Sequence, residues 1–231
     1  MPEPRDLVAW LHRAARLLPD GDLILREEDR APFLTLFGAC AQTLRYGEVY
    51  ANLWEAGDSR EAIPIARAAL EHAVTAQWAF HTEGGVDRFQ AAARKSARSF
   101  YLSMADYLGN TDLRETAVIE LEESRAGLPK WTDIMRDVGE FVASSYRQMS
   151  QVTHVTGSTV AAFVENRGDR YEFHGSPDDP HANVNLYVTA NAVMLAAWVI
   201  GQLVQTPDVR GELDEIAECL KLAQTIKEEA D

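Results

Sequence analysis

"LYVTANAVMLAAWVIGQLV", residues 186–204, is either a membrane span or the core helix of a bundle, and the choice decides the fold. No formally charged residue occurs between Asp179 and Asp208, and the run is long enough to cross a bilayer. Asn183, Asn185, Thr189, Asn191, Gln202 and Gln205 interrupt it, however, and its flanks are acidic where an inserted helix would carry Lys or Arg. The stretch therefore reads as a central helix, apolar around most of its girdle because neighbouring helices cover it, and no membrane contact is expected.

Outward from that helix, apolar residues recur with helical period almost everywhere and alternation is hard to find. Leu7, Trp10, Leu11 and Ala14 predict a short first helix, closed by Pro19 and Gly21. A second helix is expected over about 33–54 and a third over about 60–81, with Pro64 in its first turns, where a missing N–H costs little. Ile63, Ala66, Leu70, Ala73, Val74 and Gln77 mark the buried side of the third. A fourth helix should span about 86–108, followed by the charged segment "DLRETAVIELEESRAG" and the connector "LPKWTDIMRDVG". A further helix starts near 139 and reaches about 157, with continuation to 164 in view. After a turn-rich loop that can hold a small hairpin near 163–174, two last helices cover about 181–205 and 209–227. The expected architecture is all-α: a single up-and-down bundle of about seven to eight helices in one domain, 1–231.

Composition narrows the function classes. The chain of 231 residues is 46% hydrophobic and 25% charged, as a globular protein should be. Cys40 and Cys219 stand far apart without Cys or His neighbours at zinc spacing, and the N-terminal "MPEPRDLVAW" lacks the continuous apolar run of a signal peptide, so a cytoplasmic location is expected. The net charge of −14 is uneven, since eleven Asp or Glu from Glu172 onward face only Arg210, Lys221 and Lys227. Such a surface repels nucleic acid at long range. The stretch "RFQAAARKSARSFYLSM" runs the other way, with Arg88, Arg94, Lys95 and Arg98 and no acid, so Arg88, Lys95 and Arg98 are the residues that could seat RNA phosphates.

The polar residues of interest lie on two helices. In "SYRQMSQVTHVTGS", Tyr146, Ser150, His154 and Ser158 follow one another at four-residue steps, which a continuous helix would stack in one stripe beside the packing side of Phe141, Ser145, Met149, Val152 and Thr156. On the third helix Arg67 and Glu71 lie at i and i+4, where they can pair. If the two helices are neighbours, Arg67, Glu71 and Tyr146 could bind a ligand, with Trp78, Phe80 and Trp131 as apolar walls.

"ARAALEHAVTAQWAF" followed some eighty residues later by "YRQMSQVTH" resembles the bacterial helical domain-of-unknown-function family 5677. The resemblance covers the central half of the chain and implies a bundle with a polar cluster of Arg, Glu, Ser and His, without an established reaction. A second resemblance is to the HEPN superfamily, helical proteins that often act as metal-independent endoribonucleases of toxin or defence type and carry an Arg and a His with four to six residues between them. Two pairs fit: Arg67 with His72, and Arg147 with His154. Five residues along a helix rotate about 140°, placing the first pair on different faces; seven return to within about 20°, so Arg147 and His154 are expected to face one way. The HEPN resemblance implies His154 as general acid or base, Arg147 stabilising the phosphorane, Ser150 beside them, and a homodimer that completes the site.

A metal-dependent oxidase is a further alternative, because Glu71, His72, His81 and His154 could converge; the paired Glu-x-x-His segments of di-iron bundles are missing, however, and no cofactor is expected. The competing class is a non-enzymatic module that binds a small molecule.

Overall fold

A computed structural model describes residues 1–17, 30–119, 128–130, 133–134, 139–154, 156–204 and 207–226. Among them lie nine α-helices: α1 Pro4–Ala14, α2 Arg30–Glu55, α3 Ile63–His81, α4 Gly85–Leu108, α5 Thr111–Ile119, α6 Glu140–Thr153, α7 Gly157–Ala162, α8 Ala182–Leu203 and α9 Pro207–Leu220. The protein is all-α, with one or two helices more than the periodicity suggested. The only sheet among the described residues is the small hairpin of β1 Val164–Asn166 and β2 Tyr171–Phe173, paired antiparallel with Glu165 opposite Glu172. It falls inside the 163–174 window.

The 186–204 stretch lies in α8. That helix is long and apolar enough to span a membrane by length and composition, yet it is mostly buried, packed against α1, α2, α3 and α9. Two of its polar side chains bond back to the helix itself: Thr189 Oγ1 donates to the Asn185 carbonyl at 2.7 Å, and Asn191 Nδ2 to that of Tyr187 at 3.0 Å. Gly47 of α2 sets the closeness of the α2–α8 crossing, because a Cβ there would stand 2.5 Å from Val193 Cγ2. Trp10 ties α1 to the same helix, its indole N–H donating to the Ala190 carbonyl at 3.1 Å.

α3 buries the side the sequence marked out: Ile63, Ala66, Leu70, Ala73, Val74 and Gln77 are all inaccessible or nearly so. Gln77 is the polar member of that set, and its amide is fully used. Nε2 donates at 2.9 Å to the carbonyls of Leu195 and of Gln224, and Oε1 accepts from the Ile226 N–H at 3.4 Å. One buried amide thus joins α3, α8 and the C-terminal segment, which satisfies groups that would otherwise be stranded in the core.

Two expected helices end earlier than anticipated. The last stops at Leu220, because Lys221 adopts φ 52° and the Leu222 N–H reaches back to the Ala217 carbonyl at 2.9 Å; the chain then returns along the bundle with Leu222 and Ile226 buried. The helix expected to run from 139 to 157 stops at Thr153. Threonine hydroxyls take over its terminal carbonyls: Thr156 Oγ1 donates to Gln151 O at 2.6 Å, and Thr159 Oγ1 lies within donor reach of Gln151 O at 2.9 Å and His154 O at 2.8 Å. Thr156 also caps α7. Side-chain bonding to the backbone has replaced another helical turn.

Candidate functional site

α6 packs antiparallel along α3, so that Tyr146 meets Glu71 and, further along in the opposite sense, His154 meets Arg67. Ser145 and Met149 of α6 are buried against the bundle. Phe141, expected on the same packing side, is 52% exposed, with its ring edge-on to Tyr187.

Between these helices the side chains close into a network centred on Arg67. Its Nε donates to Glu71 Oε1 at 3.1 Å, its Nη2 to Tyr146 Oη at 3.0 Å, and its Nη1 to His154 Nε2 at 2.9 Å. Tyr146 Oη donates in turn to Glu71 Oε1 at 2.9 Å, and the guanidinium lies over the Tyr146 ring, 5.1 Å from its centre. Because a guanidinium only donates, His154 presents its Nε2 lone pair and carries its proton on Nδ1. Three of five guanidinium N–H groups are used, leaving one on each terminal nitrogen without a partner among the described residues. Burial raises the Tyr146 phenol above its ordinary value, with the hydrogen bond from Arg67 opposing the rise and that to Glu71 adding to it. The cluster is reachable from solvent: the Arg67 side chain keeps 19% of its exposure and Glu71 37%, while His154 is exposed.

Arg67, Glu71, Tyr146 and His154 are therefore in direct contact across two helices. Ser150 is adjacent but turned inward on its own helix, donating to the Tyr146 carbonyl at 2.8 Å. Ser158 is not part of the stripe, because the helix ends first; it is exposed on α7. Arg147 does not meet His154. Its guanidinium runs back along α6 to Glu140 and to Ser144 Oγ, 3.0 Å away, and it is well exposed. The seven-residue wheel fails because His154 lies past the last helical residue, in extended backbone at φ −97°, ψ 160°, which swings the imidazole to Arg67. The Glu140 carboxyl is held below its usual range by those same two neighbours, Arg147 first.

His72 faces away from Arg67, as the 140° rotation requires: its Nδ1 donates to the Ala68 carbonyl at 2.7 Å and its ring meets Tyr46 edge-on at 5.6 Å. His81 stacks on Trp198 at 5.3 Å. Glu71 and His154 share Arg67 as a neighbour while His72 and His81 face elsewhere, and no group of three His, Cys, Asp or Glu side chains fit to hold a metal occurs among the described residues. Of the proposed apolar walls, Trp78 lies under Arg88, 4.9 Å from the guanidinium, and Phe80 meets Trp198 edge-on at 5.6 Å; Trp131 falls outside the described residues. Arg88 is thus engaged by Trp78, whereas Lys95 is exposed and Arg98 half-buried.

Comparison of the chain with protein-family models, with curated proteins and with solved structures finds no match.

Proposed function

We propose that the α3–α6 seam is a metal-independent phosphodiester-cleaving site for RNA, of the type the HEPN resemblance implies, with Arg67 in the place expected for Arg147. What carries the reading is the 2.9 Å contact between Arg67 Nη1 and His154 Nε2 at a solvent-reachable edge of the bundle. A guanidinium with two spare N–H groups can hold a phosphate, and an imidazole beside it can move a proton. When the phosphate oxygen takes the Arg67 N–H, the Nε2 lone pair is released to accept the ribose 2′-hydroxyl proton. The 2′-oxygen attacks phosphorus, Arg67 offsets the charge gathering on the phosphorane, and the imidazolium returns the proton to the leaving 5′-oxygen. The products are a 2′,3′-cyclic phosphate and a 5′-hydroxyl. Glu71 and Tyr146 hold the guanidinium in place, and exposed Lys95, with Arg98, is the candidate RNA contact on α4. The same reading carries a homodimer and a cytoplasmic setting.

The test is cleavage of end-labelled RNA in EDTA. Wild type should cleave to a cyclic phosphate; His154→Ala and Arg67→Met should abolish cleavage with helicity intact, and Arg147→Ala should retain it. Absence of cleavage by wild type across an RNA panel would refute the reading.

The double hold on Tyr146 favours a second reading, a small-molecule binding module without chemistry. It differs in needing Glu71 as much as Arg67, and its ligand would be retained by His154→Ala.

A further inference from the structure

Gln148 and Val152 lie two residues on from Tyr146 and Ser150, so they face about 200° around α6 from the Arg67 network. On that flank opens a cavity of about 750 Å3, in the size range of small-molecule and short-peptide sites. Arg60, from the turn before α3, lines one part, and Asp178 and Asp179, from the loop before α8, line another.

The charges in this cavity do not pair. Arg60 Nη2 is buried and has no hydrogen-bond partner among the described residues, while the guanidinium sits 5.7 Å from the centre of the Phe163 ring. No ion pair joins it to Asp178 or Asp179. Asp179 is fixed, its Oδ1 accepting the His181 N–H and its Oδ2 the Asn185 amide, each at 2.9 Å. Asp178 is exposed and has no bonded partner among the described residues. Behind Asp179, the fully buried Asn185 leaves Oδ1 without a donor. Stability alone would favour pairing Arg60 with one of the two carboxylates that line the same cavity, because a buried donor without an acceptor is costly. Opposite charges held apart across a cavity instead suit a molecule carrying the complement of both.

We propose that the cavity binds a small zwitterion, a free amino acid or a di- or tripeptide, with its carboxylate on Arg60 and its ammonium on Asp178. A polyanion such as a nucleotide is disfavoured by the two wall carboxylates. The proposal is independent of the Arg67–His154 reading, since it uses none of the same side chains.

Calorimetric titration of the full chain with the proteinogenic amino acids and a set of glycyl and alanyl di- and tripeptides tests it. At least one probe should bind, and N-acetylation and C-amidation should each weaken it about tenfold or more. Arg60→Gln should weaken the free acid by a similar factor and leave the amide unaffected; Asp178→Asn should weaken the free amine and leave the acetylated form unaffected. No binding by any probe overturns the proposal, as does binding that Arg60→Gln leaves unchanged while circular dichroism shows the wild-type fold. Should Arg60→Gln fail to fold, the exposed Asp178→Asn decides alone, and unchanged affinity there overturns it.

Discussion

Replacing Arg67 by Met keeps the length and apolar stem of the side chain and removes its head. Three hydrogen bonds vanish, to Glu71, Tyr146 and His154, together with the contact over the Tyr146 ring. Each bond to a charged group is worth about 1.5–3 kcal/mol when buried. The pair with Glu71 must be discounted toward about 0.5 kcal/mol, because that carboxylate is 37% exposed and water screens it. The bond to exposed His154 is similarly weak, whereas the bond to half-buried Tyr146 keeps more of its value. Because Tyr146 and Glu71 remain bonded to each other at 2.9 Å, neither is left stranded. The sum is roughly 2–3 kcal/mol, which for a chain of this size lowers the melting temperature by about 5–10 °C. Urea titration followed by far-ultraviolet circular dichroism would measure it at unchanged m-value. A loss below about 0.5 kcal/mol would refute the claim that Arg67 clamps α6 to α3, since surface substitutions commonly fall within that range.

Further outcomes follow from single residues. Gly47→Ala should destabilise, since its Cβ would meet Val193 Cγ2 at 2.5 Å, whereas Gly38→Ala in the same helix, with nothing within 4 Å, should stabilise by up to about 1 kcal/mol; thermal melts compare the two. Gln77→Leu should cost about 2–3 kcal/mol and expose the C-terminal segment to protease, because the Gln224 carbonyl and the Ile226 N–H lose the bonds that tie that segment to α3. Burial pushes the Cys40 thiol up to about 12, while Cys219 is exposed, so a thiol reagent near neutral pH should modify one cysteine per native chain and two after denaturation. For Tyr146 the folded phenol ionises above the unfolded one. Its contribution is therefore whole below about pH 10 and is lost as pH rises through the folded value, so stability should fall less steeply above about pH 10 in Tyr146→Phe than in wild type.

The face of α3 was legible because six positions from Ile63 to Gln77 follow helical period without interruption, and a helix buried on one side records its burial in that spacing. α8 was legible for the opposite reason, as an apolar girdle broken by a few polar residues, of which Thr189 and Asn191 bond back to their own helix. Helix ends were harder. The stop after Leu220 uses a left-handed Lys221 where Gly would have announced it, and the stop after Thr153 depends on hydroxyls of Thr156 and Thr159 folding back, which no periodicity encodes. That second stop also explains the site. Arg67, Glu71 and Tyr146 could be anticipated as neighbours from two helix faces, but the choice of Arg67 over Arg147 as partner of His154 depends on the imidazole having left the helix. The cavity beside Arg60 had no signature in the sequence, because its walls come from segments as far apart as Arg60 and His181.

The most direct test is nitrogen-15 NMR of the His154 ring at mildly alkaline pH, in wild type and in Arg67→Met. With Arg67 donating to Nε2, wild type should hold a bare Nε2 and a protonated Nδ1, the tautomer that free imidazole side chains disfavour, and the substitution should return it to the ordinary form. A protonated Nε2 in the wild-type protein would contradict the contact on which the site is built.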